Sequence, residues 1–322
     1  MKVRGGGFGL SFGLVLAALI LAPHVLGTFQ RVLLTEILIW GLFAIAFDIL
    51  YGYTGMLSFG QATFFGFGSY ALTLAILRGR TGLWVALLLS LVASTVAAAL
   101  IGFVAVRIRG HYFVIITVIF SLVFFFWALN WSWLTGGDDG LSIKVPALSL
   151  GWWEVSLYDP VANYYFVLAF CAVAFLLCRR LVHSPLGRIF VCIRENEERA
   201  RLLGYHVERF KLLAFIISGT LSGLAGALYS LTFRYANAGL MHWTVSGEAV
   251  VWTLVGGAGS LVGPVLGAGL LVTFTDYVSA WIENYKIIIG VVIVLVVLAA
   301  PQGIVGVIRA RWAARGGAGN GR

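Results

Sequence analysis

Carboxylates close to apolar segments are the first residues in this sequence whose type could do chemistry, because a buried acid can relay protons or hold a cation. Four such acids are Glu36, Asp48, Glu248 and Asp276. Each lies near an end of a predicted membrane span, where an acid can reach the interface or cap a helix, as Glu248 could after Ser246. A proton-coupled transporter needs a protonatable relay across the middle of the membrane, so these positions argue against proton coupling.

Residue types that usually carry catalysis or bind metals are present without the required spacing. None of the lysines follows a glycine, which excludes a Gly-x-x-x-x-Gly-Lys-Ser/Thr phosphate-binding loop. Ser58 has neither an adjacent base nor the glycines of a nucleophile elbow. The histidines form no close pair of metal-ligand spacing; they are His24, His111, His183, His206 and His242. We therefore predict no catalytic residue, no metal and no cofactor, and a membrane-embedded enzyme is disfavoured.

One long charged stretch, Ile193–Lys211, interrupts a sequence that is otherwise nearly all apolar. We call it the charged segment. Ile193, Ala200, Leu203 and Val207 are spaced so that they would share one face of a helix, with charges on the other faces. A helix this polar must lie in water. It is either a solvated linker or a docking surface that offers a narrow apolar stripe to a soluble partner.

Two glycine-rich stretches, one in each half of the chain, interrupt apolar runs. The first, 51–70, also contains polar side chains, and the second covers 247–269. Irregular backbone at membrane depth is tolerated where it is buried in protein or lines a wet cavity. Paired interruptions point to a transport pathway at a repeat interface, whereas close helix packing through small residues is the alternative. The predicted pathway residues are Asp48, Ser58, Gly60, Gln61, Thr63, Gly256, Gly257 and Gly259.

The composition identifies the elements that must position these residues. The chain has 322 residues, of which 61% are hydrophobic and 11% charged, and its mean hydropathy is +0.98. These values predict an all-α, polytopic membrane protein. The net charge of +9 is typical of basic cytoplasmic loops and does not imply nucleic-acid binding. Ten spans are predicted, at about 8–27, 32–51, 57–77, 83–105, 111–130, 162–178, 211–233, 246–258, 263–281 and 286–306.

The topology follows from the placement of basic residues. With the N-terminus inside, most lysines and arginines fall on the inner side, as the positive-inside rule requires, so both termini are expected to be cytoplasmic. We predict a single transmembrane domain over 8–308, with a cytoplasmic loop at 179–210 and a tryptophan-rich loop on the outer side at 131–161. Residues 309–322 are expected to form a disordered cytoplasmic tail. The span at 246–258 is short and could be re-entrant.

An ordered set of segments between about residue 40 and 306 resembles the permease subunits of branched-chain amino acid ABC importers, specifically the LivM type. The longest is Gly-Tyr-Thr-Gly-Met-Leu-Ser-Phe-Gly-Gln-Ala-Thr-Phe-Phe-Gly over 52–66. Asp48 stands where this family more often has asparagine, and Thr63 where it has alanine. The other matching segments are 107–113, 130–131, 134–137, 194–197 with Gly204, 211–215, 222–228, 255–264 and 301–303.

The resemblance implies a function and partners. The chain would be an inner-membrane permease that moves leucine, isoleucine or valine by alternating access; urea, short amides or aromatic acids are alternative substrates. Its expected partners are a second, LivH-type permease, two ATP-binding subunits and a periplasmic substrate-binding protein. A stand-alone secondary transporter or channel is the rival reading. The residues that would couple to the ATPase are Ile193, Glu195, Glu197, Ala200, Leu203, Gly204 and Val207.

Overall fold

A computed structural model describes most of the chain. The predicted tail at 309–322 lies outside the described residues, as does most of the predicted span at 286–306. The described residues are 5–108, 110–146, 148–149, 154–281, 287–288, 290–291, 294, 298 and 303–307.

Long apolar helices dominate the described chain, because a helix must bond all of its backbone internally to cross lipid. Six of the described helices are long and apolar enough to cross a membrane, which confirms an all-α membrane fold, while the count of ten spans stays a prediction. The predicted bounds 83–105 and 111–130 match two of these helices. The long helices are α1 (Gly5–Val25), α2 (Thr28–Asp48), α3 (Gln61–Leu77), α4 (Leu83–Ala105), α5 (His111–Asn130), α7 (Pro160–His183), α10 (Val207–Phe233), α11 (Trp243–Gly256) and α12 (Val262–Ser279).

Short elements mark the two ends of the bundle. At the end where α10 begins lie α8 (Pro185–Glu195) and α9 (Glu197–Leu202), and we call this the charged end. At the end where α10 finishes lie the four-residue α6 (Ser132–Thr135) and two short antiparallel pairs, and we call this the strand end. The pairs are β1 (Leu141–Ser142) with β4 (Tyr235–Ala236), and β2 (Leu148–Ser149) with β3 (Glu154–Val155).

The centre of the bundle is α10, which packs against α2, α3 and α4. Small residues make this packing close. A Cβ atom added at Gly68 of α3 would lie 1.9 Å from the Gly223 carbonyl oxygen, and one at Gly226 would lie 1.9 Å from the Phe65 carbonyl oxygen. Membrane helices attract one another mainly through such van der Waals contact, because lipid provides no hydrophobic driving force between them. Gly68 of α3 and Gly226 of α10 therefore serve helix packing.

Two crossings of the bundle are interrupted rather than continuous. After α2 the chain forms a π-helical turn at Ile49–Tyr53 and then non-helical backbone at 54–60, so that helix α3 begins at Gln61 and not at 57 as predicted. In the other crossing, the chain descends from β4 through a 3₁₀ turn at Ala238–Met241 into α11. With 14 residues, α11 rises about 21 Å, less than the roughly 30 Å of a hydrocarbon core. Each crossing therefore consists of two unlike pieces.

Candidate functional site

The first turns of α3 and α11 meet beside the middle of α10. The backbone N–H of Ala62 in α3 donates to Ser246 Oγ in α11 at 2.8 Å. Ser222 Oγ, near the middle of α10, donates to Gln61 Oε1 at 3.1 Å. Two interrupted helices thus end against each other inside the bundle, and their N-termini carry partial positive charge.

We call this region the central junction and define it by Ser58, Gln61, Thr117, Ser222 and Ser246, all of which are fully buried. The irregular stretch before α3 is fixed to α5, since the N–H of Phe59 donates to Thr117 Oγ1 at 3.1 Å. The junction is therefore a polar layer closed on every described side, at the depth where apolar contacts would normally continue.

Two polar groups beside the junction have no hydrogen-bond partner among the described residues. They are the amide nitrogen Nε2 of Gln61 and the hydroxyl Oγ1 of Thr63, and both side chains are fully buried. An unsatisfied buried polar group costs about 1–3 kcal/mol, so it is retained where another function uses it. Gly60 makes room here, because a Cβ at this position would lie 3.2 Å from the Thr117 carbonyl oxygen. The structure thus groups predicted residues Ser58, Gly60, Gln61 and Thr63 with three hydroxyls that the sequence did not single out.

Asp48 belongs to a second group, near the charged end. Its carboxylate is fully buried and accepts the N–H groups of Gly259 at 2.6 Å and Leu261 at 3.1 Å, so it holds the loop between α11 and α12. Gly259 has φ +74°, a conformation that disfavours side chains. A Cβ at Gly256 would lie 1.8 Å from the Gly263 carbonyl oxygen. The structure therefore separates Asp48, Gly256, Gly257 and Gly259 from the central junction and gives them a loop-packing role.

The charged segment differs from the single amphipathic helix that its spacing suggested. Asn196 has extended backbone and its side chain accepts the N–H of Arg199 at 2.9 Å, which ends α8 and starts α9. Gly204, with φ +86°, follows the end of α9. These two breaks reorient the pieces, so the prediction of one continuous face is wrong.

The breaks turn the predicted apolar stripe inward. Ile193, Ala200 and Val207 are buried against one another, with Phe210 packed on them, whereas Leu203 is 66% exposed. Glu197 is also engaged within the chain: it accepts a hydrogen bond from Arg201 at 3.0 Å and another from Lys211. Glu195 pairs with Arg194 at 3.2 Å. The stripe therefore stabilises the segment from inside instead of facing a partner.

An exposed apolar patch takes the place that the stripe was expected to fill. Leu202 is 89% exposed, and it lies with Leu203 and the partly exposed Tyr205 around Gly204. We call these three side chains the exposed patch. A Cβ at Gly204 would meet nothing within 4 Å, so the turn is open to the surroundings. Sequence reasoning missed Leu202 and Tyr205, although two adjacent leucines between a charged helix and a glycine were a usable signal.

A cavity of about 600 Å³, lined by both polar and apolar residues, lies between the charged segment and the irregular stretch before α3. Its walls include Thr54–Leu57, the start of α5, Arg194, Glu198 and Lys211. The volume lies in the range of small-molecule sites. The lining ends at Leu57, the residue before Ser58, and includes no residue of the central junction, so the buried junction separates the cavity from the rest of the bundle. No group of three or more metal-ligating side chains occurs within the described part of the chain.

Comparison with known proteins places these features in a family. Residues 31–297 match the family described as branched-chain amino acid transport system, permease component. The chain belongs to this family. The match includes both interrupted crossings, the charged segment and the cavity, so the whole site lies within the family's domain.

Several bacterial permeases are similar over most of their length. The LivM permease protein of Escherichia coli K12 is 28% identical over 92% of this chain and 74% of its own length. The BraD permease protein of Pseudomonas aeruginosa is 27% identical, over 83% of this chain and 91% of its own. The LivH permease protein of the same E. coli strain is 25% identical, over 83% of this chain and 91% of its own. All three are named as parts of high-affinity branched-chain amino acid transport systems. No solved structure matches the chain.

Proposed function

We propose that this chain is the permease subunit of an ATP-driven ABC importer that carries leucine, isoleucine, valine or a related small amino acid across the inner membrane. The observation that carries the proposal is the central junction, where the two interrupted crossings meet in a buried polar layer. The family match and the names of the similar proteins supply the substrate class. The chain is a multi-pass membrane protein that forms one permease domain over 8–308, with its termini and charged end in the cytoplasm and the 131–161 loop in the periplasm.

The junction acts as the gate of an alternating-access cycle. In the conformation described here the cavity lies at the charged end and its lining ends at Leu57, which fits an inward-facing arrangement. When the first turns of α3 and α11 separate, the Ser222–Gln61 and Ser246–Ala62 bonds break, and the freed groups can bind substrate. Two helix N-termini that face one gap favour a carboxylate between them. The unpaired Gln61 amide adds a donor at the same depth.

The exposed patch is the docking site for an ATP-binding subunit. It is apolar, lies at the charged end and projects from a segment rich in charges, so it would rest in water unless a soluble partner covers it. The predicted coupling residue Leu203 belongs to it, and Gly204 forms the turn around which its side chains lie. Ile193, Ala200 and Val207 support it from behind, and Glu195 and Glu197 brace the segment. The complete importer contains a second homologous permease, two ATP-binding subunits and a periplasmic substrate-binding protein.

The proposal is tested by purifying the chain from its native membranes in mild detergent and identifying what accompanies it by mass spectrometry. We expect an ATPase with a phosphate-binding loop and a second hydrophobic permease. The ligand retained by a co-purifying binding protein then identifies the substrate. If that ligand is urea, a short amide or an aromatic acid, it replaces the branched-chain amino acids as the proposed substrate. Recovery of this chain alone, active in liposomes without ATP, would establish the rival secondary transporter or channel.

A further inference from the structure

We propose that Arg194 is the positioning residue that transmits movement of the docked charged segment to both interrupted crossings. This inference rests on the proposed function, because it requires an ATPase to move the segment. Arg194 lies in the last turn of α8, and its side chain leaves the charged segment to enter the bundle.

The first contact of Arg194 is with the crossing that contains α3. Its guanidinium donates from Nη1 to the carbonyl oxygen of Gly52, inside the π-helical turn. The side chain also lies against Gly55, where an added Cβ would come within 3.0 Å of Arg194 Cγ. A π turn is a rare departure from α-helix geometry and frequently occurs at functional sites. Arg194 therefore holds the piece of backbone that leads directly into Ser58 and Gln61.

Arg194 also lies close to the crossing that contains α11. Arg194 Nη1 would lie 3.2 Å from a Cβ added at Gly259, in the loop that follows α11. That loop packs closely against the π turn. A Cβ at Gly52 would lie 2.4 Å from the Gly259 backbone nitrogen and 2.0 Å from Asp48 Oδ1. Asp48, at the end of α2, also holds this loop by accepting the N–H groups of Gly259 and Leu261. The guanidinium thus lies where the inner ends of both crossings touch.

On its other side, Arg194 is fixed to the exposed patch by a packed cluster. The adjacent residue, Ile193, is buried with Ala200 and Val207, and these three span α8, α9 and the start of α10. A packed cluster moves as a unit because it has little free volume in which to deform. Displacement of Leu202 and Leu203 by a docked partner would therefore displace Arg194 as well. The Arg194–Gly52 bond links this cluster to the π turn that leads to the gate.

The guanidinium suits this link better than an ammonium group would. Arginine presents several donors in a rigid plane, whereas lysine offers a single mobile point charge. Here Nη1 serves Gly52 while Nη2 serves Glu195 at 3.2 Å, so the plane is held from two sides. Withdrawal of Arg194 leaves the Gly52 carbonyl without this donor and frees the π turn to rearrange.

The test uses the whole importer reconstituted in liposomes with its binding protein, and compares Arg194→Gln and Arg194→Lys with the wild type. Arg188→Gln is the matched control, because Arg188 is an exposed arginine of the same helix. Subunit recovery, ATP hydrolysis and substrate uptake are measured on each preparation. Loss of a charge-assisted hydrogen bond changes an equilibrium by roughly tenfold to a hundredfold. We expect Arg194→Gln to keep full assembly and at least half of the ATPase rate while uptake falls at least tenfold, with Arg194→Lys intermediate and Arg188→Gln unchanged.

The ratio of ATP hydrolysed to substrate moved separates this role from a merely structural one. If uptake and hydrolysis fall together, or if uptake is unchanged, Arg194 does not transmit the movement. If Arg194→Gln does not accumulate, hydrogen exchange of the wild-type complex decides. Trapping ATP should change exchange at 49–60 and 257–261 together, and a change confined to one stretch would overturn the inference. A wild-type preparation without an ATPase would overturn both the inference and the proposed function.

Discussion

Truncation of Leu202 gives the sharpest test of the exposed patch. Leu202 is 89% exposed and Leu203 is 66% exposed, so each has most of its apolar surface still to bury. Full burial of a leucine side chain stabilises by about 1.5–3 kcal/mol. Leu202→Ala should therefore weaken association with the ATP-binding subunit by roughly tenfold to a hundredfold. Its effect on the stability of the isolated permease should stay within about 0.5 kcal/mol, because an exposed side chain contributes little to the fold.

The assay is a titration of the purified ATP-binding subunit against the permease in lipid nanodiscs, read out as bound fraction and as stimulated ATP hydrolysis. Leu202→Met is the matched control, because it keeps a side chain of similar size and apolar character and should bind within about threefold of the wild type. Thermal unfolding in detergent checks that both variants are folded. A folded Leu202→Ala variant that binds as tightly as the wild type would refute the docking role of the patch.

Four further substitutions test other parts of the structure. Gln61→Ala removes the unpaired amide at the central junction, so uptake should fall at least tenfold with normal ATPase recovery; unchanged uptake would make the junction a packing feature only. Asp48→Asn replaces one accepting oxygen by a donor that faces a backbone N–H, so the free energy of unfolding should fall by about 1–3 kcal/mol. An unaltered unfolding transition would contradict that geometry. Gly68→Ala places a methyl group 1.9 Å from the Gly223 carbonyl oxygen, so the protein should accumulate poorly. Gly204→Ala meets open space, but its φ of +86° should lower the free energy of unfolding by about 1–2 kcal/mol. Normal yield of the Gly68 variant would show that α3 and α10 pack less closely.

The sequence predicted the helices well where hydrophobicity alone decides. The range 83–105 lies between Gly82 and Arg107, and the range 111–130 runs from His111 to Asn130; the structure has helices with those bounds. The sequence predicted the charged segment less well. Its apolar spacing continues unchanged across Asn196, although the helix ends there. Asn196 caps a new helix and Gly204 follows its end, and these local events leave Leu203 exposed while Ile193 is buried.

The glycine-rich stretches show a different kind of shortfall. A glycine in a membrane sequence has the same appearance whether it serves packing or frees the backbone beside a pathway. Only the distances in the structure distinguish these two roles. A Cβ at Gly256 would lie 1.8 Å from the Gly263 carbonyl oxygen, which indicates packing, whereas Gly60 lies in the irregular backbone beside Thr117. The partners Ser222 and Ser246 could not be found from spacing, since they lie more than 160 positions from Gln61 in the chain.

The interrupted crossings also constrain how the protein enters its membrane. Neither the 54–60 backbone nor the short α11 satisfies its own hydrogen-bonding groups across the bilayer, so neither is stable there as an isolated segment. The α3 crossing depends on Gly223 and Ser222 of α10, which the ribosome makes on the order of ten seconds later. Until then the nascent crossing must wait beside the insertion machinery or another sheltering protein. Biogenesis of this permease is therefore a cooperative, late-closing process rather than a helix-by-helix one.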